Sequence, residues 1–295
     1  MSDECAGRTV IVTGAGGGLG RSYALALGAA GASVVVNDIV ADAAATTAAA
    51  IEAAGGRAVA DTGDITDHAS AGEIFRKTLD TFGDVHAIVN NAGICRDRMF
   101  ASMTEDDWDA VVEVHLKGHF CLSNHAAKYW RGKAKAGDPV DGRIVNTSSG
   151  AGLLGSMGQS NYAAAKGGIL SLTLVQAAEL GRYGVTANAL APQARTGMTE
   201  QVFADMMRPP EDGGFDAFSP DNVAPLVVWL ASPRSAEVSG CCFEMHGGRL
   251  SIAEGWRHGT ELDHGGRWAV ADLDDAVRRL LALRQAPEPV YGASA

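Results

Sequence analysis

Short apolar runs rich in β-branched residues alternate along this chain with longer, alanine-rich stretches of helical period. The runs begin at Thr9, Ser33, Arg57, Ala87, Arg143 and Val185, and a seventh lies near Cys242-Phe243-Glu244. They are apolar throughout rather than alternating, the pattern of strands buried on both faces. The intervening stretches predict helices over 19–30, 41–54, 67–82, 105–131 and 161–183, with Gly55-Gly56 stopping the second. Repeated strand–helix units predict an α/β fold: a doubly wound, mostly parallel, seven-stranded sheet with helices on both faces. Residues 1–250 read as one such domain, and 251–295 as a C-terminal extension packing on it or on an oligomer neighbour. Two stretches depart from the pattern. Residues 198–219 are polar, with Pro209-Pro210 and Gly213-Gly214, and read as a flexible excursion. The tail carries Trp256, His258, His264 and Trp268 before a helical stretch over 272–283.

Composition narrows the picture by exclusion. The chain has 295 residues, 46% hydrophobic and 20% charged, enough for a core without disulfides or metal. A net charge of −11 with no long basic run disfavours nucleic-acid binding. No apolar run is long enough to span a bilayer, and the N-terminus shows no signal-peptide pattern. Five scattered cysteines make a poor disulfide framework, and no Cys-x-x-Cys pair suggests zinc, so no metal is expected. A reducing, cytoplasmic setting fits.

The candidate chemistry falls at two ends. After the first strand comes Thr13-Gly14-Ala15-Gly16-Gly17-Gly18-Leu19-Gly20. Glycines let the backbone approach a pyrophosphate, and the helix that follows offers free N–H groups and a positive dipole end. Asp38 ends the second strand, where a carboxylate accepts both adenosine-ribose hydroxyls and repels a 2′-phosphate. With no basic side chain at Gly17, this predicts NAD rather than NADP. At the other end Tyr162 and Lys166 stand one helical turn apart, so both leave the same face. An ammonium beside a phenol favours the phenolate and makes a usable acid/base. Ser149, just past the fifth strand, is placed to hold a substrate oxygen.

In this order the motifs resemble the short-chain dehydrogenase/reductase family. The matches are the turn from Thr13-Gly14 to Gly20, Asp64-Ile65, Asn90-Asn91-Ala92-Gly93, Ser149, Tyr162, Lys166 and Ala191-Pro192, spanning residues 8 to about 248. The resemblance implies a Rossmann-like sheet, a nicotinamide cofactor and a homo-oligomer, tetramer or dimer. It assigns cofactor contacts to Gly14, Gly17, Gly18, Leu19, Gly20, Asp38, Asp64, Ile65, Asn91, Ala92, Gly93, Tyr162, Lys166, Pro192 and Thr196. It makes Tyr162 the proton carrier, Lys166 the ribose anchor that tunes it, and Ser149 the holder of the substrate oxygen. His115 stands where the family usually has an asparagine thought to anchor a relay water, so the resemblance makes it a catalytic candidate that anchors such a water through one ring nitrogen or titrates itself, and Pro192-Gln193 replaces the family's Pro-Gly. Val114-His115-Leu116-Lys117-Gly118 and Gly158-Gln159-Ser160-Asn161-Tyr162 are similar to one branch, the (3R)-hydroxyacyl-CoA dehydrogenase domain of multifunctional enzyme type 2 and its bacterial relatives. The expected activity is oxidation of a secondary alcohol to a ketone, on a 3-hydroxyacyl-CoA or a sterol-derived hydroxyl. The rivals are an NADPH-dependent 3-oxoacyl reductase and a non-catalytic dinucleotide sensor.

Overall fold

The computed structural model describes residues 3–195, 208–210, 213–285 and 288–292. Strands β1 (Thr9–Thr13), β2 (Ser33–Asn37), β3 (Arg57–Asp61), β4 (Ala87–Asn90), β5 (Gly142–Thr147), β6 (Val185–Gln193), β7 (Cys242–His246) and β8 (Arg249–Ala253) form one sheet. Their order is β3-β2-β1-β4-β5-β6-β7-β8. The first seven run parallel and β8 runs antiparallel to β7.

Successive side chains on a strand point to opposite faces, and each face has its own core. On one face Val10, Val12, Val34 and Val36 meet Tyr23 and Leu27 of α1 (Gly18–Ala29), Ile51 of α2 (Ala41–Ala53) and Val227 of a helix over Ala224–Ala231. On the other face Ile11, Val35, Ile88 and Ile144 meet Ile74 and Phe75 of α3 (His68–Phe82) and Leu122 and Trp130 of a helix over Gly118–Ala136. Local signals set the helix ends. Asp67 caps α3, its carboxylate accepting the Ser70 N–H at 2.7 Å, and Gly83 closes that helix in the left-handed conformation.

Two expectations are corrected. The sheet has eight strands, not seven: Gly247, at φ +54°, turns the chain back, and β8 straddles the boundary expected near residue 250. The helix expected over 105–131 is three pieces. These are α4 (Glu105–Val112), a π turn (Glu113–Lys117) and α5 (Gly118–Ala136). Among the described residues the other α-helices are α6 (Gly150–Leu154), α7 (Ser160–Leu180), α8 (Ala224–Ala231) and α9 (Val270–Leu283).

The strand order reverses between β1 and β4, opening a crevice at the strands' carboxyl ends. The opposite end is closed by charge. Arg8 and Arg143, both buried, share the Asp141 carboxylate, and Arg8 also donates to the His86 carbonyl at 3.3 Å.

Candidate active site

The glycine turn leaves β1 with Gly14 at φ +61° and Gly18 at φ +51°, conformations that favour glycine. A Cβ at Gly20 would sit 2.1 Å from the Gly14 carbonyl oxygen, and one at Gly14 would sit 2.8 Å from Ala92 Cα. These glycines let the turn pack on itself and on the strand next door. Gly17 differs: a Cβ there would meet nothing within 4 Å. It is the N-cap of α1, with no side-chain cap and no acidic residue in the first turn. The first N–H groups of α1 therefore face open space with an uncompensated dipole, a cradle that fits a pyrophosphate. Leu19 is partly buried against the core beside it.

Asp38 follows β2 and faces this turn. Its carboxylate accepts the Gly16 N–H at 2.9 Å and the Val40 N–H at 3.0 Å. Asp64 is exposed and caps its own turn, accepting the Thr66 N–H at 2.8 Å, whereas Ile65 is buried and touches the start of α5 at Gly118. Asn91 donates its side-chain amide to the carbonyls of Thr13 (3.1 Å) and Gly14 (3.4 Å), tying the end of β4 to the glycine turn. The Thr13 hydroxyl completes that tie by accepting the N–H groups of Asn91 and Ala92. A Cβ at Gly93 would fall 2.2 Å from the His115 ring. Pro192, near the end of β6, pairs in register with Met245. Thr196 lies outside the described residues.

Ser149, Tyr162, Lys166 and His115 come together at the carboxyl ends of β4 and β5. Ser149 is the extended N-cap of α6 and its Oγ accepts the Ala151 N–H at 3.2 Å. Tyr162 and Lys166 share one face of α7, with Nζ 5.5 Å from the phenol ring's centre. Lys166 is almost fully buried and donates to the Thr147 carbonyl at 2.6 Å. Desolvation pulls its ammonium down to about 7, so charged and neutral forms coexist near neutrality. Burial pushes the Tyr162 phenol up to about 12, and its hydrogen bond with Ser149 opposes that rise. The lowering expected from the Lys166 ammonium does not set this pKa. Both groups are controlled first by desolvation, and Ser149 supplies the counterweight.

His115 sits in the π turn, buried, with its ring edge-on to Tyr162 at 5.1 Å between centres. Its Nε2 lies 3.0 Å from the Ile94 amide nitrogen and 2.8 Å from the Ile94 carbonyl oxygen, while Nδ1 is buried without a partner. Burial, and then the nearby Lys166 charge, push its pKa down to about 3. The imidazole is therefore neutral at physiological pH and does not titrate with the chemistry.

Several contributors hold the site through partners that their sequence positions do not announce. Thr13 was legible only as part of the turn. Asn90 joins Ser123 and Asn146 in a buried amide network that continues to Thr173 and Gln176 beneath the site. Asn161 braces Tyr162 from behind, donating to the carbonyls of Arg96 (3.1 Å) and Asp107 (3.0 Å). Arg195 pairs with Asp216, which closes the described part of the 198–219 excursion back onto β6. Runs of one residue type foreshadow none of these.

A nucleotide cradle and a Tyr–Lys–Ser group with a buried lysine, at one end of a parallel sheet, define a dehydrogenase-type site. The chain belongs to the short-chain dehydrogenase family, whose model matches residues 8–207. It is thus an oxidoreductase of secondary alcohols and ketones that uses a nicotinamide dinucleotide. Hydroxyacyl-CoA dehydrogenase ChsB1 of Mycobacterium tuberculosis is 45% identical over 99% of this chain and 93% of its own length. Peroxisomal multifunctional enzyme type 2 of Mus musculus is 44% identical over 82% of this chain, which spans 32% of that longer protein. The crystal structure of a short chain dehydrogenase from Mycobacterium avium superposes with a TM-score of 0.91 at 55% identity, covering 98% of this chain and all of that one. Among the described residues no helix is long and apolar enough to cross a membrane.

Proposed function

We propose that this enzyme oxidises the hydroxyl of a 3-hydroxyacyl-CoA with NAD, Tyr162 acting as the base. The observation that carries the reading is the convergence of Ser149, Tyr162 and the buried Lys166 beside a glycine cradle with nothing opposite Gly17. The substrate class is supported by the name of the Mycobacterium tuberculosis relative, a hydroxyacyl-CoA dehydrogenase, and the direction by Asp38. A carboxylate at the end of β2 disfavours a 2′-phosphate, and NADP-dependent reduction is the natural rival.

The proposed division of labour follows from the geometry. The N–H groups at the start of α1 and the backbone of Gly17 and Gly18 hold the pyrophosphate, Asp38 the adenosine ribose and Lys166 the nicotinamide ribose. Asp64, Asn91, Ala92, Gly93 and Pro192 frame the rest of the cofactor. When bound, the nicotinamide supplies the hydride acceptor. Ser149 Oγ holds the alcohol oxygen and shares the phenolate's charge. Tyr162 Oη takes the hydroxyl proton as the carbonyl forms, and Lys166, when charged, steadies the phenolate. His115 keeps the Ile94 backbone and the Tyr162 ring in place and moves no proton itself. Phe120 on α5 and Leu174 and Val175 on α7 leave exposed apolar faces that suit a second copy of the chain in a homo-oligomer.

Calorimetric titration of NAD and NADP separately into wild type and Asp38→Ala tests the cofactor half. Tighter NAD binding that the variant loses, by about tenfold or more, is expected from removing a paired charged hydrogen-bond acceptor. A wild-type preference for NADP would move the reductase reading into first place.

A further inference from the structure

The tail returns to the catalytic end of the sheet. After α9 the chain pairs residues 290–292 with the segment that links Ser149 to Tyr162. Met157 N–H donates to the Tyr291 carbonyl at 2.9 Å, Tyr291 N–H donates to the Gly155 carbonyl at 3.3 Å, and Ser156 and Tyr291 form a parallel bridge. The linking segment is built to receive it. A Cβ at Gly155 would meet Val290 at 3.4 Å, and one at Gly292 would meet Met157 at 3.6 Å. The tightest fit is at Gly150, the residue after Ser149. A Cβ there would lie 2.8 Å from the Tyr291 hydroxyl and 3.0 Å from its ring. The phenol thus occupies the space that a side chain beside Ser149 would otherwise fill.

The placement is chemically pointed. About half of Tyr291 is exposed, so one part of the ring packs on bare backbone while the rest remains open. Its hydroxyl also feels Glu244, which stands opposite Ala191 on β6, next to Pro192. Tyr291 therefore lies against Gly150, next to Ser149, and within electrostatic reach of Glu244 near the carboxyl ends of β6 and β7. Gly150 and Gly155, the two positions on which the tail packs, have no side chains of their own.

We propose that Tyr291 is a specificity-determining residue: segment 288–292 forms the wall of the substrate site beside Ser149, and the Tyr291 ring limits the bulk of the acyl group adjoining the reacting carbon. This rests on the acyl-CoA reading above. The ring's apolar face lies against the acyl carbons and excludes branching there, while its hydroxyl remains at the rim.

The test compares wild type, Tyr291→Ala, Tyr291→Phe and a chain ending at Gln285, each assayed with short straight-chain, long straight-chain and α-branched 3-hydroxyacyl-CoA thioesters. Cofactor affinity and melting temperature are measured in parallel. In Tyr291→Ala and in the shortened chain, the ratio of kcat/KM for branched over straight substrates is expected to rise by about tenfold or more, the scale of shape discrimination in an apolar pocket. The change should fall mainly on KM, with cofactor affinity unchanged. Tyr291→Phe, which keeps the ring, should keep the wild-type ratio. An unchanged ratio in Tyr291→Ala and the shortened chain, or an equal loss on every substrate, would overturn the proposal while leaving the acyl-CoA reading intact. Failure of the wild type on all three thioesters, with turnover of another secondary alcohol, would remove the acyl-CoA reading and this one together.

Discussion

In the proposed reaction Tyr162 has to lose a proton that burial makes it keep, and the pH behaviour expected of the site follows from that. Alcohol oxidation uses the phenolate, so kcat/KM for oxidation should climb with pH above neutrality, while ketone reduction, which uses the phenol, should fall. Tyr162→Phe is expected to lose about 10²–10⁴-fold in turnover, the usual worth of a positioned acid/base, with cofactor affinity little changed. Steady-state rates and equilibrium titration on the same preparation check both halves. His115 makes a separate statement about stability. Its folded-state pKa of about 3 lies below the ordinary 6.5, so between those values the unfolded chain binds a proton that the folded chain refuses. Folding stability must therefore fall as pH drops through that window. His115→Asn should flatten the fall by up to about 1.4 kcal/mol per pH unit, read from urea unfolding at neutral and mildly acidic pH. The sequence exposed Tyr162, Lys166 and Ser149 because each carries chemistry in its own side chain. It could not expose the balance of burial and charge around them, which depends on what packs above, as His115 does over Tyr162.

Among the elements, the turn between β1 and α1 separates two uses of glycine that look alike in sequence. Gly20 is glycine because its neighbours are in the way, with the Gly14 carbonyl and the Asn91 amide 2.1 and 2.5 Å from a Cβ. Gly17 is glycine with no protein atom in the way. Gly20→Ala should therefore lower the melting temperature of the cofactor-free protein, at a cost of about 1–3 kcal/mol for overpacking. Gly17→Ala should leave that temperature nearly unchanged and weaken cofactor binding instead. Paired thermal melts and titrations separate the two; equal destabilisation by both would mean that the cradle is only a tight turn. The strands were legible for a similar reason of packing. Val10, Ile11 and Val12 are all buried, so the run has no polar interruption. β8 was not, because Leu250 and Ile252 alternate with Ser251 on an exposed edge and read as tail. The π turn was invisible because Glu113–Lys117 carries ordinary helical residues, and its extra residue shows only in the backbone.

For the molecule as a whole, charge closes one end of the sheet and chemistry occupies the other. Asp141 accepts from both Arg8 and Arg143, side chains that join the starts of β1 and β5. Asp141→Ala would leave two buried guanidinium groups without their shared counterion. The expected loss is about 2–3 kcal/mol, below that of a fully buried pair because Asp141 is itself partly exposed. Chemical denaturation measures it. The site is far along the strands, so kcat at a permissive temperature should hardly change. A large loss of kcat would mean that the two ends are coupled. The doubly wound plan was legible at this scale because it repeats, whereas the return of the tail to Gly155 does not. It is made by two or three residues meeting a loop far away in sequence, and no periodicity announces such a meeting.

The wide turn at Glu113–Lys117 acts as a phase shifter in what is otherwise a single rod. One residue of α-helix corresponds to about 100° of rotation, so the extra residue lets the two halves present unrelated azimuths. Asp107, upstream, gives its carbonyl to Asn161, whereas Leu122 and Trp130, downstream, are keyed into the core. Removing a single residue here would rewind the rod and set those two anchorages against each other. Substitution at these positions is a question of local fit, but any change in length is a question of angle, and the fold has no slack in angle to give.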